Sequence, residues 1–147
     1  QYTNEEWLWK FEGIVREGQG DTFAATVFGF EYTFFQFLNT DADFGVLIEH
    51  LYDDRDEINA PVTAFENDLF LGMRYTFNDI QDTSLLAGSI IDLEDESYSM
   101  RLEAERRIGD SLKIEVEGQL FANARDDSVT AAFQNDDFIQ LSIAKYF

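Results

Sequence analysis

Asp137-Phe138-Ile139-Gln140-Leu141-Ser142-Ile143-Ala144-Lys145-Tyr146-Phe147 closes the chain, and its alternation decides the fold. Ile139, Leu141, Ile143 and Phe147 fall at alternate positions, so an extended backbone puts them on one face. Gln140, Ser142 and Ala144 fall on the other. The stretch is therefore a strand that is apolar on one side and small or polar on the other.

The same pattern repeats upstream. Leu112, Ile114, Val116, Gly118 and Leu120 alternate with Lys113, Glu115, Glu117 and Gln119. Tyr98, Met100, Leu102 and Ala104 alternate with Ser99, Arg101, Glu103, Glu105 and Arg107. Leu102 to Arg107 holds good helix formers, but period-2 flanks on both sides favour a strand. Thr83 to Ile91 reads as a strand whose faces alternation does not assign. Phe65 to Phe77 sets Leu69, Leu71, Met73, Tyr75 and Phe77 against Asp68, Phe70, Gly72 and Arg74. Phe44 to Tyr52 places Glu49 opposite the face of Phe44, Val46, Ile48 and His50. Thr22 to Phe37 carries Phe28, Phe30, Tyr32 and Phe34 on one side and Glu31 on the other. Glu6 to Arg16 separates Trp7, Trp9 and Phe11 from Lys10, Glu12 and Arg16. The total is about eight strands of roughly ten residues, the length a tilted membrane-crossing strand needs.

Composition narrows the class. The chain has 147 residues, 10 Lys+Arg and 30 Asp+Glu, for a formal charge of −20. That charge argues against nucleic acid as a partner and against electrostatic attachment to an anionic lipid surface. There is no cysteine, so disulfides, thiolate metal sites and thiol nucleophiles are excluded. Fifteen Phe, six Tyr and two Trp, together with the strand periodicity, argue against disorder. No apolar run is long enough for a transmembrane helix, but alternating membrane strands would show none.

Alternation leaves open which face meets water. A soluble lipocalin-like binding barrel would turn the apolar face inward. An outer-membrane barrel would turn it outward, with aromatics in an interfacial girdle and charges in the lumen. Trp7, Trp9, Tyr75, Phe77 and Tyr98 lie near strand ends, as girdle residues do. Lys10, Glu12, Glu31, Glu49, Arg74, Arg101, Glu103, Glu105, Arg107, Lys113, Glu115 and Glu117 mix both signs of charge, as a polar lumen does. Across the turn at 108–111 the last seven of these are expected to pair. The connections at 17–21, 53–64, 92–96 and 123–136 fall at one end and include both long loops. Those at 39–43, 78–82 and 108–111 fall at the other. Short periplasmic turns and long external loops are the rule for outer-membrane barrels.

The final strand resembles the C-terminal assembly signal of such barrels, read by the barrel-assembly machinery. Ile139, Leu141, Ile143 and Phe147 carry the likeness; Lys145 stands where many such signals have an aromatic. Further stretches extend the resemblance: Glu6-Trp7-Leu8-Trp9-Lys10-Phe11-Glu12, Glu49-His50-Leu51-Tyr52-Asp53-Asp54-Arg55 and Asn67-Asp68-Leu69-Phe70-Leu71-Gly72-Met73-Arg74. Asn78-Asp79-Ile80-Gln81-Asp82-Thr83 and Leu102-Glu103-Ala104-Glu105-Arg106-Arg107-Ile108-Gly109-Asp110-Ser111 belong with them. Together they resemble the C-terminal part of a family of functionally uncharacterised outer-membrane proteins of Gram-negative bacteria. The resemblance implies location and fold but no substrate. Members of that family being longer, it allows two expectations: Gln1 is an internal start of a barrel with further strands, or about eight strands close by themselves as a small barrel.

Candidate chemistry is sparse. His50 is the single histidine, followed closely by Asp53 and Asp54. A lipid-modifying enzyme would need it beside a serine, and Ser97, Ser99 and Ser128 are the nearest by topology. The bland reading is an interfacial polar aromatic. Acidic runs at Asp53, Asp54, Asp56 and Glu57, at Asp92, Glu94, Asp95 and Glu96, and at Asp126, Asp127, Asp136 and Asp137 lack the EF-hand pattern. They read as solvated loops, able to share divalent ions with lipopolysaccharide phosphates. No cofactor or resident metal is called for. The expectation is an all-β, antiparallel, up-and-down barrel in the bacterial outer membrane. Its partners are outer-membrane lipid and lipopolysaccharide. Its role is structural or that of a narrow passive channel rather than catalytic.

Overall fold

A computed structural model gives the fold and describes residues 1–18, 20–56, 58–125 and 129–147. Glu57, Asp126, Asp127 and Ser128, named above, lie outside the described residues. Among the described residues, nine strands form one sheet in chain order. They are β1 (Tyr2–Asn4), β2 (Trp7–Arg16), β3 (Phe23–Phe34), β4 (Asp43–Asp53), β5 (Asn67–Thr76), β6 (Ser84–Asp92), β7 (Tyr98–Ile108), β8 (Leu112–Ala122) and β9 (Phe138–Lys145). Each pairs antiparallel with the next. The topology is therefore up-and-down throughout.

Three expectations change. A ninth strand, β1, precedes the anticipated set: Glu5 adopts a left-handed φ of 51° and folds Tyr2 back opposite Trp9. β3 stops at Phe34 rather than Phe37, because Gln36 and Leu38 take φ of 51° and 56° in a short 3-10 turn. The Asp43 carboxylate holds that turn by accepting the Gln36 N–H at 3.0 Å. Finally, the sheet is open: β1 and β9 are its two edges, and no pairing joins them.

Leu102 to Arg107 lies inside β7, so the competing helix is not formed. Leu102 stands between Ala87 and Gly118, and Ala104 between Leu85 and Val116. Pairing on both sides outweighs the small helix preference of the local residues.

Glycines mark the tight approaches in the sheet. Gly29, Gly45, Gly72 and Gly88 lie on one face of β3 to β6. A Cβ on Gly29 would stand 2.2 Å from the Ile48 carbonyl oxygen, and one on Gly88 2.8 Å from the Phe70 ring. On the opposite face, a Cβ on Gly13 or Gly118 meets only ordinary contacts, at 3.6 and 3.7 Å. The tight approaches at Gly29, Gly72 and Gly88 thus all fall on one face, while Gly45 on that face meets only ordinary contacts.

Candidate functional site

Register divides the sheet into two chemically distinct faces, since directly opposed residues share a side. One face runs Trp7, Tyr32, Val46, Met73, Ala87, Leu102, Gly118, Ile139 across the strands. It is apolar almost throughout, and it is exposed: Phe11 is 65% and Ile139 86% accessible. Leu141 and Ile143 lie exposed beside Ile139 on β9. Among the described residues, the buried apolar side chains are Phe23 and Ala42. No apolar core encloses this face.

Aromatic rings line one end of it. Trp7 stacks on Trp9 at 5.5 Å, and contacts continue through Phe30, Tyr32, Phe34, Phe44 and Tyr75 to Phe77. Tyr98 lies near the opposite end, at the start of β7. Phe147 follows β9 fully exposed, with the Lys145 ammonium 5.2 Å from its ring centre. His50 is also on the apolar side, opposite Phe28 and Leu69, and its Nε2 is 2.9 Å from Asn67 Oδ1. Ser99 points to the other face, opposite Ile90 and Phe121. The sheet thus separates His50 from that serine.

The opposite face carries the charges. Lys10, Glu12, Glu31, Glu49, Arg74, Arg101, Glu103, Glu105, Arg107, Lys113, Glu115 and Glu117 all fall on it by register. Glycine determines how several of them meet. Lys10 and Glu49 both stand opposite Gly29, and with no side chain between them they join at 3.1 Å. Arg74 stands opposite Gly45, and Glu31, opposite Leu47, reaches diagonally over that glycine to form a salt bridge with it. Phe70 uses an apolar version, laying its ring over Gly72 and Gly88. Each crossing fills a trough left by a missing Cβ.

On β7 and β8 the expected pairing occurs, but diagonally. Glu103 stands directly opposite Glu117, and Glu105 opposite Glu115. Like charges in register repel. Arg101 relieves the first pair, reaching both Glu103 and Glu117 at 2.6 Å. Lys113 relieves the second, reaching both Glu105 and Glu115 at 2.7 Å. Arg107 turns instead to Asp82 at 3.3 Å, in the 77–83 turn. In that turn Asp79 accepts the Thr83 N–H and hydroxyl, each at 2.8 Å, and pairs with Arg106 at 3.0 Å. The Thr83 N–H, foremost among these, holds the Asp79 carboxyl below its ordinary range.

The acidic runs at the other end serve the backbone. Asp54 accepts the Ala24 N–H at 2.6 Å, and Asp56 those of Ile58 and Asn59. Asp92 accepts those of Glu94 and Asp95, and Asp95 that of Ser97. Asp137 accepts the N–H of Phe121 at 2.8 Å. Those of Asp56, Asp92 and Asp95 are turn-closing bonds of short acidic side chains, while Asp54 and Asp137 tie loop ends to other strands. Arg55 fixes the 54–66 loop: it pairs with Asp53, donates to the Pro61 carbonyl at 2.9 Å, and covers the Phe23 ring at 4.3 Å. Among the described residues no group of three or more His, Cys, Asp or Glu converges as metal ligands.

One feature of this end carries no motif in the sequence. Asp68 is 2% exposed, and its Oδ2 has no hydrogen-bond partner. It lines a cavity of about 290 Å³ with Phe65, Ile90, Ser97, Phe121 and Phe133. Asp68 and Asp92 are both set by parity against apolar neighbours, a signal readable in the sequence. Their pairing was not readable, because β6 carries apolar residues on both faces. No family model matches the chain, and neither does any curated protein or solved structure.

Proposed function

We propose that this chain is an integral outer-membrane β-barrel protein of Gram-negative bacteria, acting as a narrow passive conduit with a charged lumen. The observation that carries this reading is the division of the sheet: the apolar face is exposed, and the charges gather on the opposite face. In water each exposed Leu, Ile or Phe forgoes about 1.5–3 kcal/mol of burial. Hydrocarbon removes that cost across the whole face at once. The aromatic chain from Trp7 to Phe77 suits a headgroup interface, where amphipathic rings concentrate. The resemblance of the closing strand to an assembly signal supports the same reading.

Closure belongs to this proposal too. In an up-and-down sheet, β1 and β9 run in the same direction, so antiparallel closure needs an even number of strands. β2 to β9 can meet that requirement alone, with the three-residue β1 displaced; otherwise an odd number of further strands completes a wider barrel. In either case the ion pairs lie along the wall, between strands no more than two apart, and do not cross the lumen.

The decisive experiment folds the chain into vesicles whose acyl chains are brominated at graded depths. Quenching of Trp7 and Trp9, strongest for bromines near the headgroup, is expected. Unquenched fluorescence from a chain that stays monodisperse in detergent-free buffer would replace this reading with a soluble, lipocalin-like binding barrel.

A further inference from the structure

Three acid pairs stand in direct register on the charged face. Glu103 with Glu117 and Glu105 with Glu115 each hold a bridging cation, Arg101 and Lys113. Asp68 and Asp92 are the third pair. Among the described residues no salt bridge reaches Asp68; the charges that bear on it most, Asp92, Asp95 and Glu66, are all negative, with a backbone hydrogen bond from Glu66 set against them. Its Oδ2 is buried without a partner. A buried carboxylate oxygen left so is costly unless a donor is supplied.

The space in front of this pair is a cavity of about 290 Å³, with Phe65 at one side and Phe121 and Phe133 stacked at 5.9 Å. That is near the small end of ligand pockets, which run from about 300 to 1,000 Å³. Its lining is mainly apolar. A hydrated metal ion would gain little from such walls. An ammonium group carried on a small aromatic or aliphatic body would gain from all of them: charge-assisted hydrogen bonds to Asp68, area against the rings, and cation–π attraction.

We propose that the Asp68/Asp92 cavity is a binding site for a small organic amine in its protonated form, with Asp68 as the anchoring group. The ligand's ammonium supplies the bridging cation that Arg101 and Lys113 supply to the other pairs. The inference does not depend on the membrane reading, since the cavity lies within the chain itself.

The test titrates the full chain, folded in detergent micelles, with benzylamine and with its neutral counterpart benzyl alcohol, using empty micelles as blank. Benzylamine is expected to bind at least about tenfold more tightly, the worth of one charge-assisted hydrogen bond. Asp68→Asn should remove that preference. Ser99→Phe, which fills the cavity and leaves both acids in place, should abolish binding of either probe. If Asp68→Asn does not fold, Asp92→Asn serves, and should reduce the preference. Equal affinity for the two probes would overturn the proposal, because the acid pair would then hold its own proton. Displacement of benzylamine by micromolar calcium would overturn it in favour of a metal site. Undiminished binding to Ser99→Phe would place the amine elsewhere.

Discussion

Lys10 and Glu49 lie on strands that are not neighbours, yet they meet at 3.1 Å because both stand opposite Gly29 on the strand between them. The glycine serves this contact and the close approach of β3 to β4. A methyl group at position 29 would fall 2.2 Å from the Ile48 carbonyl oxygen and 2.6 Å from Glu49 Cγ. Backbone cannot yield as a flexible side chain can. Gly29→Ala is therefore expected to destabilise the fold by about 1–3 kcal/mol, the usual cost of overpacking. Urea unfolding of the lipid-folded chain measures this. Gly13→Ala, on the open face with its nearest contact at 3.6 Å, is the control and should change little.

Phe70 tests the apolar version of the same device. Its ring covers Gly72 and Gly88, filling the space their missing side chains leave. Phe70→Ala should cost about 1.5–3 kcal/mol, the value of burying one large apolar side chain. Gly88→Ala alone should also destabilise, since its Cβ would stand 2.8 Å from the ring. Combined with Phe70→Leu, the Gly88→Ala penalty should shrink. Additive losses in the double variant would show that the ring and the glycine do not cooperate.

How much of this was legible in the sequence depended on period and register. Alternation alone placed Lys113, Glu115 and Glu117 together, because a strand's faces follow from parity. It did not reveal that Glu103 opposes Glu117, which needs the register set by the 109–111 turn. The Lys10–Glu49 contact needed two registers at once, across a strand whose inward residue is absent. β6 hid its faces because Leu85 and Leu86, then Ile90 and Ile91, are apolar on both sides, so the Asp68–Asp92 pairing stayed invisible. The open edges were equally hidden, since nothing in a strand's own pattern names its neighbour.

The paired glutamates predict an unusual coupling at Arg101. Its guanidinium holds Glu103 and Glu117 together in register. Arg101→Gln should lower stability by exposing their repulsion, and Arg101→Gln with Glu117→Gln should recover part of the loss. High salt should narrow the gap between wild type and Arg101→Gln, because these groups are more than half or about one-third exposed and are screened. A salt-insensitive difference would mean that Arg101 acts through its aliphatic packing.

Acid should loosen the 77–83 turn before the strands. Bonds from Thr83 and the charge of Arg106 hold the Asp79 carboxyl below its ordinary range. A depressed carboxyl contributes its stabilisation fully above the unfolded value, about 3.9 for aspartate, and loses it as pH falls through the lower folded value. Amide exchange at Thr83, corrected for intrinsic rates, should therefore accelerate as pH falls below about 4. Asp79→Asn should show fast exchange throughout and no such pH step. A Thr83 amide whose protection is unchanged at pH 2 would break the link between this carboxyl and the turn.

The proposed conduit carries its own electrical prediction. On the inner face the cations of β7 and β8 are committed: Arg101 and Lys113 each serve two glutamates, and Arg107 is turned to Asp82. Glu12 on β2 forms no ion pair among the described residues and faces the same side as Lys10. The unbalanced charge along the wall is thus negative, and rings of acidic side chains favour cations. Folded into a planar bilayer, the chain should give small, stable conductance steps with reversal potentials that favour potassium over chloride. Glu12→Gln with Glu117→Gln should weaken that preference while leaving the steps, since both changes keep the backbone pairing of the strands and Glu117→Gln gives up only its exposed ion pair with Arg101. Insertion without steps would mean a sealed interior and a structural role, and anion preference would mean that the charged face does not line the path.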